Sequence, residues 1–302
     1  MRRRHAAGVF VSLALASPAR AQEIEPRSYS NAPVGVNFAV AGVVYTRGGL
    51  EFPAASSITD AKLDTYSGVL AYARAFDFMG KSAKFDVIVP YMSLSGTALF
   101  AGQPVERSVD GFVDPRFRLS VNFFGAPALQ WPDFRNYRQD LIVGASLQVS
   151  PPWGQYDRTR LVNIGANRWT FKPELGVSKV LGSWTFEGKL AATVFTANDD
   201  FFGGARREQA PIYSMQGNVI YSFGNGVWAS FDGTYYTGGR TSLNGVRGVD
   251  LQQNTRAGAT LALPVDARNS VKLYASSGVH ARTNNNFDLL GIAWQHRWGG
   301  GL

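Results

Sequence analysis

Segments of about ten residues in which bulky apolar side chains alternate with polar or small ones recur twelve times between Val36 and the end of this 302-residue chain. Alternation with period two gives a strand two unlike faces. The segments are centred near residues 40, 70, 87, 119, 145, 174, 189, 217, 232, 259, 274 and 293. Phe85, Val87, Val89 and Tyr91 mark the third, and Leu141, Val143, Ala145, Leu147 and Val149 the fifth. Roughly ten residues is what a tilted strand needs to cross a bilayer, whereas strands of soluble sandwiches average about five or six.

The connections alternate too. After the second, sixth, eighth and tenth segments they are tight ("DFMGKS", "LGS", "GNG", "VDARN"), and after the odd ones mostly long and Gly-rich, as in "SGTALFAGQPVERSVDG" and "TGGRTSLNGVRGVDLQ". Short turns on one side, long loops on the other and an even strand count define an all-β fold, a transmembrane antiparallel β-barrel of about 12 strands, with both termini in the periplasm. Closure is required because an open sheet edge at membrane depth would leave a row of unpaired N–H and C=O groups. One connection breaks the rule: "GAPALQWPDFRNYRQD" is too long for a periplasmic turn, and a short helical turn is expected after Pro132.

Residues 1–21 read as a separate object. Arg2, Arg3 and Arg4 precede the apolar stretch "AAGVFVSLALA", and Ala19, Arg20 and Ala21 form a small-residue cleavage site, the order of a secretory signal peptide. That leaves residues 22–302 as one barrel domain in a bacterial outer membrane. Removing four arginines and no acid lowers the formal net charge from +8 to +4, so the basic balance is no argument for nucleic acid. With no cysteine, neither disulfides, a thiol nucleophile nor a Cys-bound metal is available, and no cofactor or metal is expected.

If the bulky apolar set faces lipid, the opposite parity faces the lumen, and charges collect there: Lys84, Asp86, Arg116, Arg118, Lys172, Glu174, Glu187, Lys189, Asp232, Arg256 and Lys272. A charge on the lipid side would cost roughly 2 to 4 kcal/mol near the midplane for Arg or Lys, which fixes the parity. With Leu181 and Gly182 as a two-residue loop, Glu174 is expected opposite Lys189. Such charges either line a polar conduit or form a satisfied network that fills a small barrel. At the other parity, Trp294 and Trp298 of the last segment are expected at the membrane interface, with His296 between them.

Weaker signals read as loops. "ANDDFFGG" lacks the spacing of a calcium loop, and "TYYTGGRTSLNG" lacks the strand-to-helix context that cradles phosphate. Twelve-stranded outer-membrane phospholipases use Ser, His and Asn on the outer face, but neither His280 nor His296 has a serine two residues away on its strand. The chain is therefore not read as an enzyme.

The stretches "PVGVNFAVAGVVYTRGGL", "GFVDPRFRLSVNFFGAPAL", "QDLIVGASLQVSPPWGQYD", "LVNIGANRWTFKPELGVSK" and "NDDFFGG" followed by "REQAPIYSMQGNVIYSF" resemble the MetA-pathway of phenol degradation family. The resemblance spans about residues 26–298 and implies an outer-membrane barrel associated with the breakdown of aromatic compounds. The family's pattern at the entry of the fourth segment is matched by Asp114, Pro115, Arg116 and Arg118. The expected function is passive passage of small solutes, aromatic ones among them. The expected partners are the lipid bilayer, the outer-membrane assembly machinery and the solute itself. Two alternatives stand beside it: a plugged structural or surface-interaction barrel without transport, and an outer-membrane hydrolase.

Overall fold

The computed structural model describes residues 25–49, 58–283 and 286–301; residues 1–21, read above as a signal peptide, lie outside the described residues. The elements follow one another as β1 (Val36–Gly49), β2 (Ile58–Phe78), β3 (Lys81–Phe100), β4 (Gln103–Phe112), β5 (Arg116–Phe124), α1 (Trp131–Phe134), β6 (Leu141–Ser150), β7 (Thr170–Leu181), β8 (Trp184–Phe195), β9 (Asn198–Phe201), β10 (Ala205–Gln209), β11 (Ile212–Gly224), β12 (Val227–Gly238), β13 (Thr241–Leu243), β14 (Val246–Arg247), β15 (Gln252–Pro264), β16 (Asn269–Ala281) and β17 (Phe287–Gly299). Twelve of the strands form a closed antiparallel barrel in chain order, β1-β2-β3-β5-β6-β7-β8-β11-β12-β15-β16-β17, sealed where β17 returns to β1 from Val36↔Gly299 to Gly48↔Phe287. Every expected strand centre falls inside one of these twelve. The helical turn expected after Pro132 is α1, which begins at Trp131 and includes the proline in its first turn.

Alternation in sequence becomes inversion in space. On β8, Thr185, Glu187 and Lys189 are buried while Trp184, Phe186 and Leu190 are exposed, the reverse of a soluble protein. Aromatic rings gather at both rims. Trp184 meets Tyr221 edge-on at 4.7 Å near the short turns, and Tyr91 meets Phe112 at 5.2 Å at the other end. On β17, His296 stacks between Trp294 and Trp298 at 5.8 and 5.7 Å and bonds to Asn269 Oδ1 at 2.9 Å through Nδ1, with both tryptophans facing out.

The long loops build structure of their own. β3 continues beyond the barrel to pair with β4, and Pro115, which has no N–H to give a ladder, separates β4 from β5. Beyond that break, residues 151–169 fold over the mouth: Asp114 accepts the Gly154 and Ala166 amides at 2.8 and 2.9 Å, and Ile164 packs with Met92 and Leu94. "ANDDFFGG" and "TYYTGGRTSLNG", read above as loops, instead contribute strands to a small extracellular sheet in the order β14-β13-β10-β9.

At the opposite end, Gly299, Gly300 and Gly301 all take left-handed φ values of 78°, 60° and 88°. A Cβ on Gly301 would stand 2.8 Å from that of Trp131, so the "GGG" tail is the turn that tucks under α1.

Candidate functional site

The register of the β7–β8 hairpin corrects one expectation. The turn is Gly182–Ser183, with Gly182 at φ 61°, so Leu181 pairs with Trp184 and Glu174 faces Ala191; Lys189 faces Gly176. Moving a two-residue turn by one position slides the ladder by two, which preserves the lumen face of both charges but separates them. Glu174 instead lies 3.9 Å from Lys172, its neighbour on the same strand face.

All eleven lumen candidates lie on the inner side of the wall, with ten of them buried and Glu174 close to it. The sequence reading missed what five of them, Lys84, Arg118, Glu174, Glu187 and Lys189, hold. Residues 25–32, ahead of β1, run inside the barrel, and Glu25, Ser28, Tyr29, Ser30, Asn31 and Ala32 are all buried. Arg118 is the latch: it donates Nε to Asp86 at 2.7 Å and its two terminal nitrogens to the Glu25 carboxylate. Lys189 and Lys84 donate to the main-chain carbonyls of Glu25 and Ser28, both at 2.5 Å. Asn122 donates to the Tyr29 carbonyl at 3.0 Å. Glu187 accepts the Arg27 amide at 2.8 Å and the Asn218 side chain at 3.0 Å, while the Arg27 guanidinium reaches Ser222 and lies over the Trp228 ring at 5.0 Å.

The electrostatics follow from this packing. Burial alone would raise the Glu25 carboxyl, but Arg118, with help from Lys189 and Lys172, holds it down at about 2. Burial lowers Arg27 to about 10, against the pull of Glu187. Burial and then the Glu174 charge push the Tyr29 phenol well up, so it keeps its proton and donates it to Glu174 Oε1 at 3.0 Å.

Four further candidates belong to the same inner wall. Arg256 bridges β16 and β17 where their ladder ends, donating to the Phe287 carbonyl at 2.8 Å and Ser276 at 3.0 Å with its guanidinium over the Phe287 ring. Asp232 accepts from Ser230 at 3.2 Å, and Arg116 and Lys272 are buried on β5 and β16. Beside the charged wall, Phe38, Val40, Val44, Val69, Ala71 and Ile88 give the lumen an apolar side on β1, β2 and the far part of β3. Among the described residues no group of three or more His, Cys, Asp or Glu side chains could hold a metal ion.

A closed barrel of twelve strands, apolar outside, polar inside and girdled by aromatics at both rims, is an outer-membrane β-barrel protein, and its lumen is filled by its own amino-terminal segment. The family model described as "Putative MetA-pathway of phenol degradation" matches residues 47–295, and the chain belongs to this family. The fold is shared with the crystal structure of an outer membrane channel from Pseudomonas putida F1, at 20% identity and a TM-score of 0.73 over 91% of this chain and 100% of that one. It is also similar to the beta domain of a Bordetella autotransporter, at 8% identity and a TM-score of 0.51 over 88% of this chain and 100% of that one. Among curated proteins, none matches this sequence.

Proposed function

We propose that this protein is an outer-membrane channel passing small solutes, aromatic ones among them, through its lumen when the amino-terminal segment withdraws. The observation that carries the reading is that a short polar peptide, held by hydrogen bonds from the wall's side chains, occupies the lumen. Twelve strands lie between the eight whose side chains close the interior and the sixteen or so that leave an aqueous channel. Withdrawal would expose Lys84, Asp86, Arg116, Arg118, Lys172, Glu174, Glu187 and Lys189 along one side and, adjoining it on β1 and β2, an apolar strip. Such a two-sided conduit suits solutes with an apolar body and a polar group. The Pseudomonas protein of the same fold is described as a channel, which supports the reading. No catalytic role is proposed, and His296 is read as an interfacial side chain held by Asn269 and its two tryptophans.

The test compares refolded residues 22–302 with a variant lacking 22–32, by planar-bilayer conductance and liposome swelling. The variant is expected to conduct and to admit small solutes far faster. A variant that stays sealed while folding as a barrel would favour the second reading, a plugged surface-interaction barrel. The exposed Val246 and Val249 beside the extracellular sheet favour that alternative. It predicts that deleting "SLNGVRGVDLQ" abolishes partner binding without altering permeability.

A further inference from the structure

The Tyr29 side chain occupies a slot that the barrel wall, and not the plug, provides. Gly144 on β6 and Gly176 on β7 are direct cross-strand partners, and together they leave bare backbone where two lumen side chains would stand. The Tyr29 ring lies on this floor. A Cβ on Gly176 would come within 2.0 Å of its Cε2 atom, and one on Gly144 within 2.5 Å of Cδ1. Two residues along, Ser146 and Glu174 are again cross-strand partners, and Glu174 Oε1 receives the phenol hydroxyl at 3.0 Å. Ile142 and Ala126 complete an apolar cluster with the ring, which is 1% exposed. The slot thus recognises a flat ring by its face and a hydroxyl by an acceptor at the far edge. The backbone of Tyr29 is held separately, by Asn122, so the slot reads the side chain alone.

Resting on the channel reading above, we propose that this slot is a binding site for free phenols, which compete with Tyr29 for it and thereby favour withdrawal of the plug. The Tyr29 side chain is, atom for atom, p-cresol attached to the chain. When the segment leaves, the glycine floor stays where it is, because it is ladder-bonded wall, and the Glu174 acceptor loses its donor. A phenolic solute restores both the ring contact and the hydrogen bond; a toluene-like solute restores the first alone. A solute that binds the wall with the plug out, and is excluded with the plug in, must shift the equilibrium toward the open state. The plug would therefore be a tethered self-ligand that yields to solutes resembling it.

The experiment uses refolded residues 22–302 in planar bilayers with p-cresol and with toluene at matched membrane concentration, so that bilayer effects cancel. The open fraction is expected to rise about five-fold or more, saturably, with p-cresol, and little with toluene. In detergent, Tyr29→Ala is expected to bind p-cresol saturably at one site by calorimetry. Gly176→Leu in that background, which fills the vacated slot, is expected to abolish binding. Equal responses to p-cresol and toluene in the wild type overturn the proposal, as does p-cresol binding that survives Gly176→Leu. The two readings fail separately. A variant lacking 22–32 that folds yet neither conducts nor swells liposomes refutes the channel, whereas one that conducts, alongside a wild type indifferent to p-cresol, refutes only the phenol site.

Discussion

Neutralising Glu25 should loosen the plug without unfolding the barrel. The carboxylate is enclosed beside Arg118, Lys189 and Lys172, and its pKa falls from 4.5 to about 2 in the seated state. By linkage, the ionised form prefers the seated state over the protonated form by a factor of about 300, or about 3 kcal/mol. Glu25→Gln keeps the shape and removes the charge, so the ratio of released to seated plug should rise by about two orders of magnitude. Arg118 keeps Asp86 as a partner at 2.7 Å, which leaves the wall's own network in place. The sign also fixes the pH behaviour. A depressed carboxyl pKa gives stabilisation that is fully present above about 4.5 and lost as pH falls through about 2. Wild type should hold its closed level from pH 7 to pH 5 and begin to open below about 4.5, whereas Glu25→Gln should be open more often throughout and lose this acid step. Single-channel recording of both proteins across that range reads the effect directly. An unchanged open fraction in Glu25→Gln, or an acid step of the same size in both, would refute the latch.

Other outcomes follow from the same geometry. Asp114→Ala strips two half-buried amides of their acceptor, at about 1 kcal/mol each, and should make the 151–169 segment cleavable by protease in intact cells while the barrel keeps its heat-resistant electrophoretic mobility. Paired cysteines at Glu174 and Ala191 should crosslink upon oxidation, and a pair at Glu174 and Lys189 should not, because the former are direct ladder partners. Trp298→Asp places a carboxylate on the outer face beside Tyr72 and His296; reduced amounts of inserted barrel are expected, and normal membrane levels would count against the interfacial role.

What was legible in the sequence is what the bilayer dictates. Lipid on one side and a polar lumen on the other force a period of two on each spanning strand, so Phe85 and Val89 against Lys84 and Asp86 show strand, parity and lumen face at once. Polarity does not alternate cleanly along β1 and β2, because Phe38, Val40, Val44, Val69 and Ala71 form an apolar patch inside and both faces of these strands carry apolar residues. The β7–β8 register slipped because Leu181–Gly182 and Gly182–Ser183 are equally good two-residue turns in sequence. The choice between them is made by Gly182 taking the left-handed position at φ 61°. The loop strands β9, β10, β13 and β14 are two to five residues long, too short for a periodic signal to stand out.

The plug was illegible for a different reason, and the reason explains the charges. Residues 25–32 have no strand period, and nothing in their sequence marks a segment that enters the barrel. Its signature lies elsewhere in the chain. Arg118 and Asp86 face each other across β3 and β5 and would neutralise one another alone, yet Lys84, Lys172 and Lys189 add further cations to the same wall. Cations buried in a closed lumen demand acceptors: Lys172 has Glu174 of the wall, while the plug supplies Arg118, Lys189 and Lys84 with the Glu25 carboxylate and the carbonyls of Glu25 and Ser28. Main-chain carbonyls can be offered by almost any sequence, which is why no motif announces them. Three plug side chains are read chemically by the wall, Glu25 through Arg118, Arg27 through Ser222 and Trp228, and Tyr29 through Glu174. If the lumen charges serve passage, they do so by holding a removable peptide as well as by facing a solute, so substitutions at Arg118 or Lys189 should raise conductance by unseating the plug before they alter selectivity.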